Sequence, residues 1–136
     1  MGRALARETM NKKPLILVVE DDPSSLMLAT TALEAGGFAV DGAGSAEQAR
    51  EVIAKRKPAL ILMDIGLPGM DGLDFTRELR SKARTADIPI VALTANNMPL
   101  HERAAMVAGC QGFIAKPVSP VVLTEEVRAY LSGSRR

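Results

Sequence analysis

The sequence has no tryptophan, and aromatic residues make up only 3% of its 136 residues. Proteins that hold single-stranded nucleic acid stack the bases on aromatic side chains, and this chain has few of them. The formal net charge of +1 provides no general attraction to nucleic acid or to an anionic membrane. We therefore expect no direct contact with nucleic acid and no association with membranes.

Cysteine is nearly absent as well, since Cys110 is the only one. A single cysteine excludes an internal disulfide bond and a cysteine-based metal centre, and it suits a reducing compartment. We expect Cys110 to be a small, buried apolar side chain. We also expect the protein to be cytoplasmic.

Long apolar runs are missing too, because no stretch approaches the ~18 residues that indicate a membrane-spanning helix. Residues 1–13 lack the apolar centre of a secretory signal, so we interpret them as a tail in which Met10 is an alternative start. The 47% content of hydrophobic residues is typical of a globular protein. We predict one domain over residues 14–132 and a second tail over residues 133–136.

Short apolar runs rich in β-branched residues alternate with longer segments that have helical spacing. The short runs predict strands over residues 15–19, 38–43, 59–63, 90–93 and 112–115. Strands that alternate with helices predict a parallel sheet covered on both faces, with right-handed crossovers. The fold class is therefore α/β, with five βα units in a doubly wound arrangement.

Helix signals follow each predicted strand. The first helix follows residues 23–25 and stops at residues 36–37, the second starts at residue 45 and runs to about residue 56, the third begins near residues 71–72, the fourth covers about residues 99–108, and the last starts after residues 119–120. The apolar residues of the first helix are Leu26, Leu28, Ala29, Ala32 and Leu33, and those of the last are Val121, Val122, Leu123, Val127 and Leu131. We expect these residues to pack on the sheet.

Reactive side chains follow four of the five predicted strands at the point where each strand ends. Glu20, Asp21 and Asp22 follow the first strand and Asp64 follows the third, while Thr94 and Lys116 come at the ends of the fourth and fifth. The carboxyl ends of parallel strands meet at one edge of a sheet, which is where α/β proteins bind ligands. We therefore expect an acidic pocket with one hydroxyl and one ammonium group at this edge.

This combination of groups suits phosphoryl transfer. Neighbouring carboxylates repel each other unless a cation lies between them, and Mg²⁺ prefers carboxylate oxygens and engages phosphate. Asp64 is then placed to act as a nucleophile toward a phosphoryl group. Lys116 and Thr94 are placed to bind the oxygens of that group.

The sequence also resembles the receiver domain of the two-component response-regulator family. The resemblance covers about residues 13–132 and rests on the acidic residues after the first strand, Asp64 after its apolar run, residues 67–72 (Leu-Pro-Gly-Met-Asp-Gly), residues 88–95 and the pair Lys116-Pro117. It implies a flavodoxin-like five-stranded sheet of order 2-1-3-4-5. It also implies a stand-alone phosphorylation switch rather than a turnover enzyme.

The family resemblance implies a role for each matching residue. Asp64 would accept phosphate from a phosphohistidine on a histidine kinase or histidine phosphotransfer protein. Asp21 and Asp64 would bind Mg²⁺ directly, the Gly66 carbonyl would be a further ligand, and Glu20 would act through water. Thr94 and Lys116 would bind the phosphoryl group.

Other implied features concern the output of the switch. The Lys116–Pro117 bond is expected to be cis, and Phe113 matches the aromatic residue that swings inward on activation. A downstream protein would bind the surface of the fourth helix, fifth strand and fifth helix, where apolar contacts are offered by Met98, Leu100, Met106 and Val118. We expect a monomer or a weak dimer.

Three positions depart from the common family pattern. Glu20 stands where Asp is frequent, and Phe113 lacks the hydroxyl of the more familiar Tyr. Gly66 and Asn96 lie where the family tunes the lifetime of the phosphoryl group, and they do not reveal that lifetime.

Two alternative interpretations remain open, namely a receiver excised from a longer protein and a Mg²⁺-dependent phosphatase or flavodoxin-like protein. A haloacid-dehalogenase-type phosphatase needs a second acid where Gly66 stands, which argues against turnover. Residues 42–47 hold only half of a dinucleotide-binding glycine pattern, after the wrong strand, so we interpret them as a turn and helix start. His101 lies among charged residues, and we expect it to be solvated.

Overall fold

Strands and helices alternate along the chain as predicted. A computed structural model describes residues 13–67, 69–95, 99–116 and 119–133. The strands are β1 (Leu15–Val19), β2 (Ala39–Ala43), β3 (Leu60–Asp64), β4 (Ile90–Ala95) and β5 (Gly112–Lys116), and the helices are α1 (Pro23–Ala35), α2 (Ala46–Lys55), α3 (Gly72–Arg80), α4 (Pro99–Ala108) and α5 (Pro120–Ser132). The bounds of β1 match the prediction, and those of the other strands differ from it by one or two residues at one or both ends.

The five strands form one parallel sheet in the order β2-β1-β3-β4-β5, which confirms the predicted order. In the register of this sheet Val19 lies beside both Ala43 and Met63. Asp64 lies beside Leu93, and Thr94 lies beside Ala115. Because β1 and β3 are neighbours, the acidic residues that follow β1 come close to the acid that ends β3.

The sheet separates two apolar layers. One face packs against α2, α3 and α4 through side chains that include Ile53, Phe75 and Ala105. The other packs against α1 and α5 through side chains that include Leu33 and Val127. Every residue of β1 and β3 is buried, because a strand covered on both faces has no polar side.

Side-chain caps define where four helices begin. Asp22 accepts a hydrogen bond from the Ser25 amide at 2.9 Å and caps α1. The same arrangement caps three other helices, in which the capping residues are Ser45 for α2, Asp71 for α3 and Ser119 for α5. Such caps satisfy backbone N–H groups that have no partner within the helix. Residues 42–47 are therefore a strand end, a turn and a helix start, as predicted.

Some predicted apolar faces are wrong. Leu28 is 54% exposed, and Val121 and Val122 are 68% and 46% exposed. α1 buries Ala29, Ala32 and Leu33, and α5 buries Leu123, Thr124 and Val127. Val121 and Val122 lie in the first turn of α5 and Leu28 lies in the second turn of α1, and all three side chains face solvent rather than the sheet.

Arginine side chains help to hold the segment between α3 and β4, in addition to its own hydrogen bonds, and the sequence patterns did not indicate this role. Arg80 donates hydrogen bonds to the carbonyl oxygens of Ile88 at 2.7 Å, of Gly109 at 2.9 Å and of Ala86 at 3.0 Å. Arg84 donates to the Ile53 carbonyl at 2.8 Å. These bonds fasten the helix ends at the edge of the sheet where the strands begin.

Two further observations bear on the sequence analysis. Cys110 is buried and its thiol pKa is raised by burial, as expected for an inert apolar residue. None of the helices in the described ranges is long and apolar enough to cross a membrane. Residues 1–12 and 134–136, which make up most of the two predicted tails, lie outside the described ranges.

Candidate functional site

Three carboxylates meet where β1 and β3 end. One carboxylate oxygen from each of Glu20, Asp21 and Asp64 lies within 4.8 Å of the others. Glu20 is buried at 2% exposure and Asp64 at 9%, while Asp21 is exposed. Asp22, the fourth acid of this region, is used as the cap of α1. The structure thus brings three of the four predicted acids together and assigns the fourth to a helix end.

Lys116 reaches this cluster from the end of β5. Its Nζ donates to Glu20 Oε1 at 2.9 Å and to Glu20 Oε2 at 3.1 Å, and it lies 3.4 Å from Asp64 Oδ2. One ammonium group therefore faces three carboxylates. The excess of negative charge and the all-oxygen donor set fit a hard divalent cation, which takes carboxylates and retains several waters.

The pKa values of Glu20, Asp64 and Lys116 are shifted because these groups are partly buried and lie close together. Burial, together with a hydrogen bond to Asp64, raises the pKa of Glu20 to about 7, even though Lys116 opposes the shift. Burial also acts to raise the pKa of Asp64, but the hydrogen bond with Glu20, the Gly66 amide and Lys116 outweigh it and lower that pKa. For Lys116, burial is outweighed by Glu20 and Asp64, and the pKa is raised. Asp64 is therefore ionised and Lys116 charged at neutral pH.

The backbone after β3 fixes the orientation of Asp64. The Gly66 amide donates to Asp64 Oδ1 at 3.0 Å, and the Gly72 amide donates to the Ile65 carbonyl at 3.3 Å. A Cβ atom at Gly72 would collide with the carbonyl oxygen of Asp64, so only glycine allows α3 to begin so close to the strand. The Oδ1 atom of Asp64 is thus held by the backbone, and its Oδ2 atom is directed toward Lys116.

Thr94 is fully buried at the end of β4, the strand between β3 and β5. Its Oγ1 has no hydrogen-bond partner among the described residues. A buried hydroxyl without a protein partner costs free energy, and such a group calls for an explanation such as a catalytic role, an ion or a water. Thr94 is therefore a candidate ligand-binding group at the position that the sequence predicted.

Several predicted features lie outside the described residues. These are the Lys116–Pro117 bond, Asn96, Met98 and Val118, and the same holds for the side chains of Leu100 and His101. Of the other residues predicted for the output surface, Phe113 is 37% exposed on β5 and Met106 is 45% exposed on α4.

Exposed apolar side chains on α1 and α5, the helices that follow the strand ends of the site, were not predicted from the sequence. Met27 is 70% exposed and joins Leu28 in α1, while Val121 and Val122 are exposed in α5. These helices start directly after the strand ends that carry the acidic cluster and Lys116. A usable signal was present, because α1 has no charged residue before Glu34.

A family model for the response regulator receiver domain matches residues 16–128. The chain belongs to this family. It is therefore a receiver domain of two-component signalling, a class of domains that accept phosphoryl groups. The acidic cluster, Thr94 and Lys116 lie at the ends of the strands within the matched range.

Relatives of two sizes resemble this receiver domain. The polar-differentiation response regulator DivK of Brucella ovis is 33% identical over 119 residues, which cover 88% of this chain and 97% of DivK. The phosphate regulon transcriptional regulatory protein PhoB of Pseudomonas aeruginosa is 37% identical over 116 residues, which cover 85% of this chain and 51% of PhoB. The chain thus spans about half the length of PhoB and nearly the whole of DivK.

Solved structures show the same fold. A response regulator from Chloroflexus aurantiacus superposes with a TM-score of 0.86 at 31% identity, covering 89% of this chain and 99% of that one. The receiver domain of a sensor histidine kinase from Pseudomonas aeruginosa gives 0.81 at 30% identity, covering 88% and 98%. The latter structure has a magnesium ion coordinated in its active site cleft.

Proposed function

We propose that this receiver domain is a phosphorylation-dependent switch in which Asp64 accepts a phosphoryl group from the phosphohistidine of a histidine kinase or histidine phosphotransfer protein. The observation that supports this most directly is the environment of Asp64, which is ionised, anchored by the Gly66 amide and faced by Lys116. In the transfer step, an Asp64 oxygen forms a bond to phosphorus while the phosphorus–nitrogen bond to imidazole breaks. The imidazole nitrogen takes a proton from solvent.

We propose Mg²⁺ as the cation of this site. Asp21, Asp64 and the Gly66 carbonyl would hold it directly, and Glu20 would hold it through water. Bound there, Mg²⁺ supplies positive charge that offsets the repulsion between the acceptor carboxylate and the phosphoryl oxygens. The close approach of the three carboxylates and the magnesium in the related kinase receiver support this assignment.

Lys116 and Thr94 would bind the phosphoryl group, and their movement would transmit its presence to the rest of the domain. Lys116 is now bonded to both oxygens of Glu20, and a phosphoryl group on Asp64 gives its ammonium a new partner. The unpartnered Thr94 hydroxyl would donate to another phosphoryl oxygen. Movement of Thr94 toward the site opens space that Phe113 fills from its exposed position on β5, so the surface of α4, β5 and α5 changes.

The proposed output is binding of a protein to that altered surface. Met106 and Val107 of α4 and Phe113 of β5 are exposed apolar residues there. Because phosphorylation favours one of two conformations, the response is a shift in their populations. Residues 14–132 would make up the switching unit, and the downstream protein would be the controlled target.

A phosphotransfer profile against candidate histidine kinases tests this function. We expect one base-labile phosphoryl label per chain, located on Asp64 and dependent on Mg²⁺, and no label on Asp64→Asn. Asp74→Asn is the matched control, because Asp74 is an exposed carboxylate paired with Arg77 on α3. A label that persists in Asp64→Asn, or turnover of many phosphates per chain, would overturn the proposal.

A further inference from the structure

A cleft lies at the edge of the sheet opposite the acidic cluster, where β1 and β3 begin. Its volume is about 470 Å³, within the range of about 300–1,000 Å³ that is typical of small-molecule sites. Its apolar lining consists of Pro14, Leu15, Pro58 and Ala59. Leu15 and Pro58 are buried, so the cleft has a fixed apolar floor.

Among the described residues, the charged side chains that line the cleft are all positive, namely Lys13, Arg56 and Lys57. Lys57 is paired with the exposed carboxylate of Asp87 at 3.1 Å. Lys13 and Arg56 have no side-chain partner within the described ranges of the chain.

Stabilisation of a helix end does not account for these two cations. α2 ends at Lys55, and the carbonyl end of a helix attracts positive charge. Carbonyl groups at that end already have hydrogen-bond donors. Arg84 donates to the Ile53 carbonyl at 2.8 Å, and the Arg56 amide donates to the Val52 carbonyl at 3.0 Å. The charged groups of Lys13 and Arg56 are therefore additional to what the helix end requires.

We propose that this cleft binds an organic phosphate of about nucleotide size. Its apolar part would lie on Pro14 and Pro58, and its phosphate would lie between Lys13 and Arg56, since guanidinium and ammonium groups are the usual partners of phosphate. Apart from the three cations, none of the described residues at the cleft has a polar side chain that could distinguish one base from another, so we expect different bases to be tolerated. The proposal is independent of the function of Asp64, because the two sites lie at opposite ends of the strands.

Titration with ADP, followed by amide chemical shifts of the whole chain, tests this inference. EDTA is present throughout, so that divalent cations do not carry phosphate to the acidic cluster. We expect saturable shifts confined to the backbone amides of Lys13, Leu15, Arg56, Lys57 and Ala59, because Pro14 and Pro58 have no N–H. Adenosine and inorganic pyrophosphate are titrated separately, and each is expected to bind more weakly than ADP.

Variants then identify the charges responsible. Lys13→Gln and Arg56→Gln are each expected to weaken ADP binding about threefold, and the double variant about tenfold. Arg103→Gln, which removes an exposed charge from α4, is expected to leave the affinity unchanged. The proposal is overturned by an equal loss in Arg103→Gln, by shifts centred on the acidic cluster, or by no saturation at ~10 mM, a concentration at which even millimolar binding saturates. Pyrophosphate or an acidic peptide that binds as tightly as ADP would equally exclude a site for organic phosphates.

Discussion

At the scale of single residues, Thr94 places a polar group in the site whose burial is unfavourable for folding. Its hydroxyl is fully buried and has no partner among the described residues, whereas the equally buried hydroxyl of Thr76 donates to the Gly72 carbonyl at 2.8 Å. A hydrogen bond contributes about 1 kcal/mol to the free energy of unfolding. A buried polar group without a partner lowers that free energy. The two threonines can therefore be compared directly, because both are fully buried and, among the described residues, only the Thr76 hydroxyl has a hydrogen-bond partner.

Replacement of each threonine by valine tests this difference. We expect Thr94→Val to keep or raise the free energy of unfolding by up to about 1 kcal/mol, because it removes a desolvated hydroxyl without changing the side-chain volume. We expect Thr76→Val to lower it by about 1 kcal/mol. Urea unfolding measures both, and beryllofluoride should change the α4–β5–α5 surface less in Thr94→Val than in Thr76→Val. A clear loss of stability in Thr94→Val would show that its hydroxyl has a partner.

At the scale of elements, α2 and α3 are joined by an ion pair that no local pattern indicates. Arg50 donates to Glu78 Oε2 at 2.6 Å and to Glu78 Oε1 at 2.7 Å, and its guanidinium lies 5.4 Å from the ring centroid of the buried Phe75. The hydrogen bonds from Arg50 lower the pKa of Glu78. The pair therefore stabilises the fold above the ordinary pKa of glutamate, and this contribution is lost as the pH falls through the lowered pKa.

The pH dependence of Glu78→Gln tests this ion pair. At pH 7 we expect the substitution to lower the free energy of unfolding by about 0.5–1 kcal/mol, a modest value because both side chains are partly exposed. At about pH 3, where Glu78 in the unfolded chain is protonated, we expect most of the difference to vanish. Asp74→Asn, in the more exposed pair with Arg77, should cost less at pH 7. A difference that stays constant with pH would mean that Glu78 acts by packing and not by charge.

The exposed apolar side chains near the starts of α1 and α5 suggest where a phosphodonor protein docks. Met27 and Val121 are about 70% exposed on the helices that follow the acidic cluster and Lys116, and exposed apolar patches commonly mark interaction surfaces. We expect Met27→Lys to slow phosphotransfer from a phosphorylated partner about tenfold, equivalent to ~1.4 kcal/mol. Labelling by the small donor acetyl phosphate should not change, because it needs no docking surface.

Val107→Lys on α4 provides the control for that prediction. Val107 is 78% exposed, so the same charge is added at a similarly exposed apolar position on another helix. It should leave phosphotransfer from the partner unchanged. Equal slowing by both variants would indicate a general effect of charge rather than a surface on α1.

At the scale of the whole molecule, the sequence predicted the order of elements because each strand and helix carries its own pattern. The convergence of Glu20, Asp64 and Lys116 also followed, since the carboxyl ends of parallel strands share one edge. Contacts set by three-dimensional packing did not follow. Asp22 looked like a fourth pocket acid until its bond to the Ser25 amide showed it to be a cap. Leu28 looked like a core residue because it is apolar, but the packing of α1 on the sheet leaves it 54% exposed.

Cation binding connects the site to the stability of the entire domain. A ligand that binds only the folded state stabilises it by about 2.7 kcal/mol at a concentration of 100 times its dissociation constant. We therefore expect Mg²⁺ to raise the urea midpoint of the chain without changing the slope of the transition, because the same surface is exposed on unfolding. Calorimetric titration gives the affinity independently.

The adjacent acids Asp21 and Asp22 separate the cation site from the helix cap. Asp21→Asn should remove most of the Mg²⁺-dependent stabilisation, because it takes one carboxylate from the cluster of three. Asp22→Asn should keep the Mg²⁺ dependence and, because asparagine also caps helices well, lower the starting stability by less than about 1 kcal/mol. Asp22→Ala should lower it by about 1 kcal/mol, again with the Mg²⁺ response intact. If Asp22→Ala abolished the Mg²⁺ response and Asp21→Asn did not, the assignment of these two carboxylates would be reversed, and the cation would have to lie closer to the start of α1.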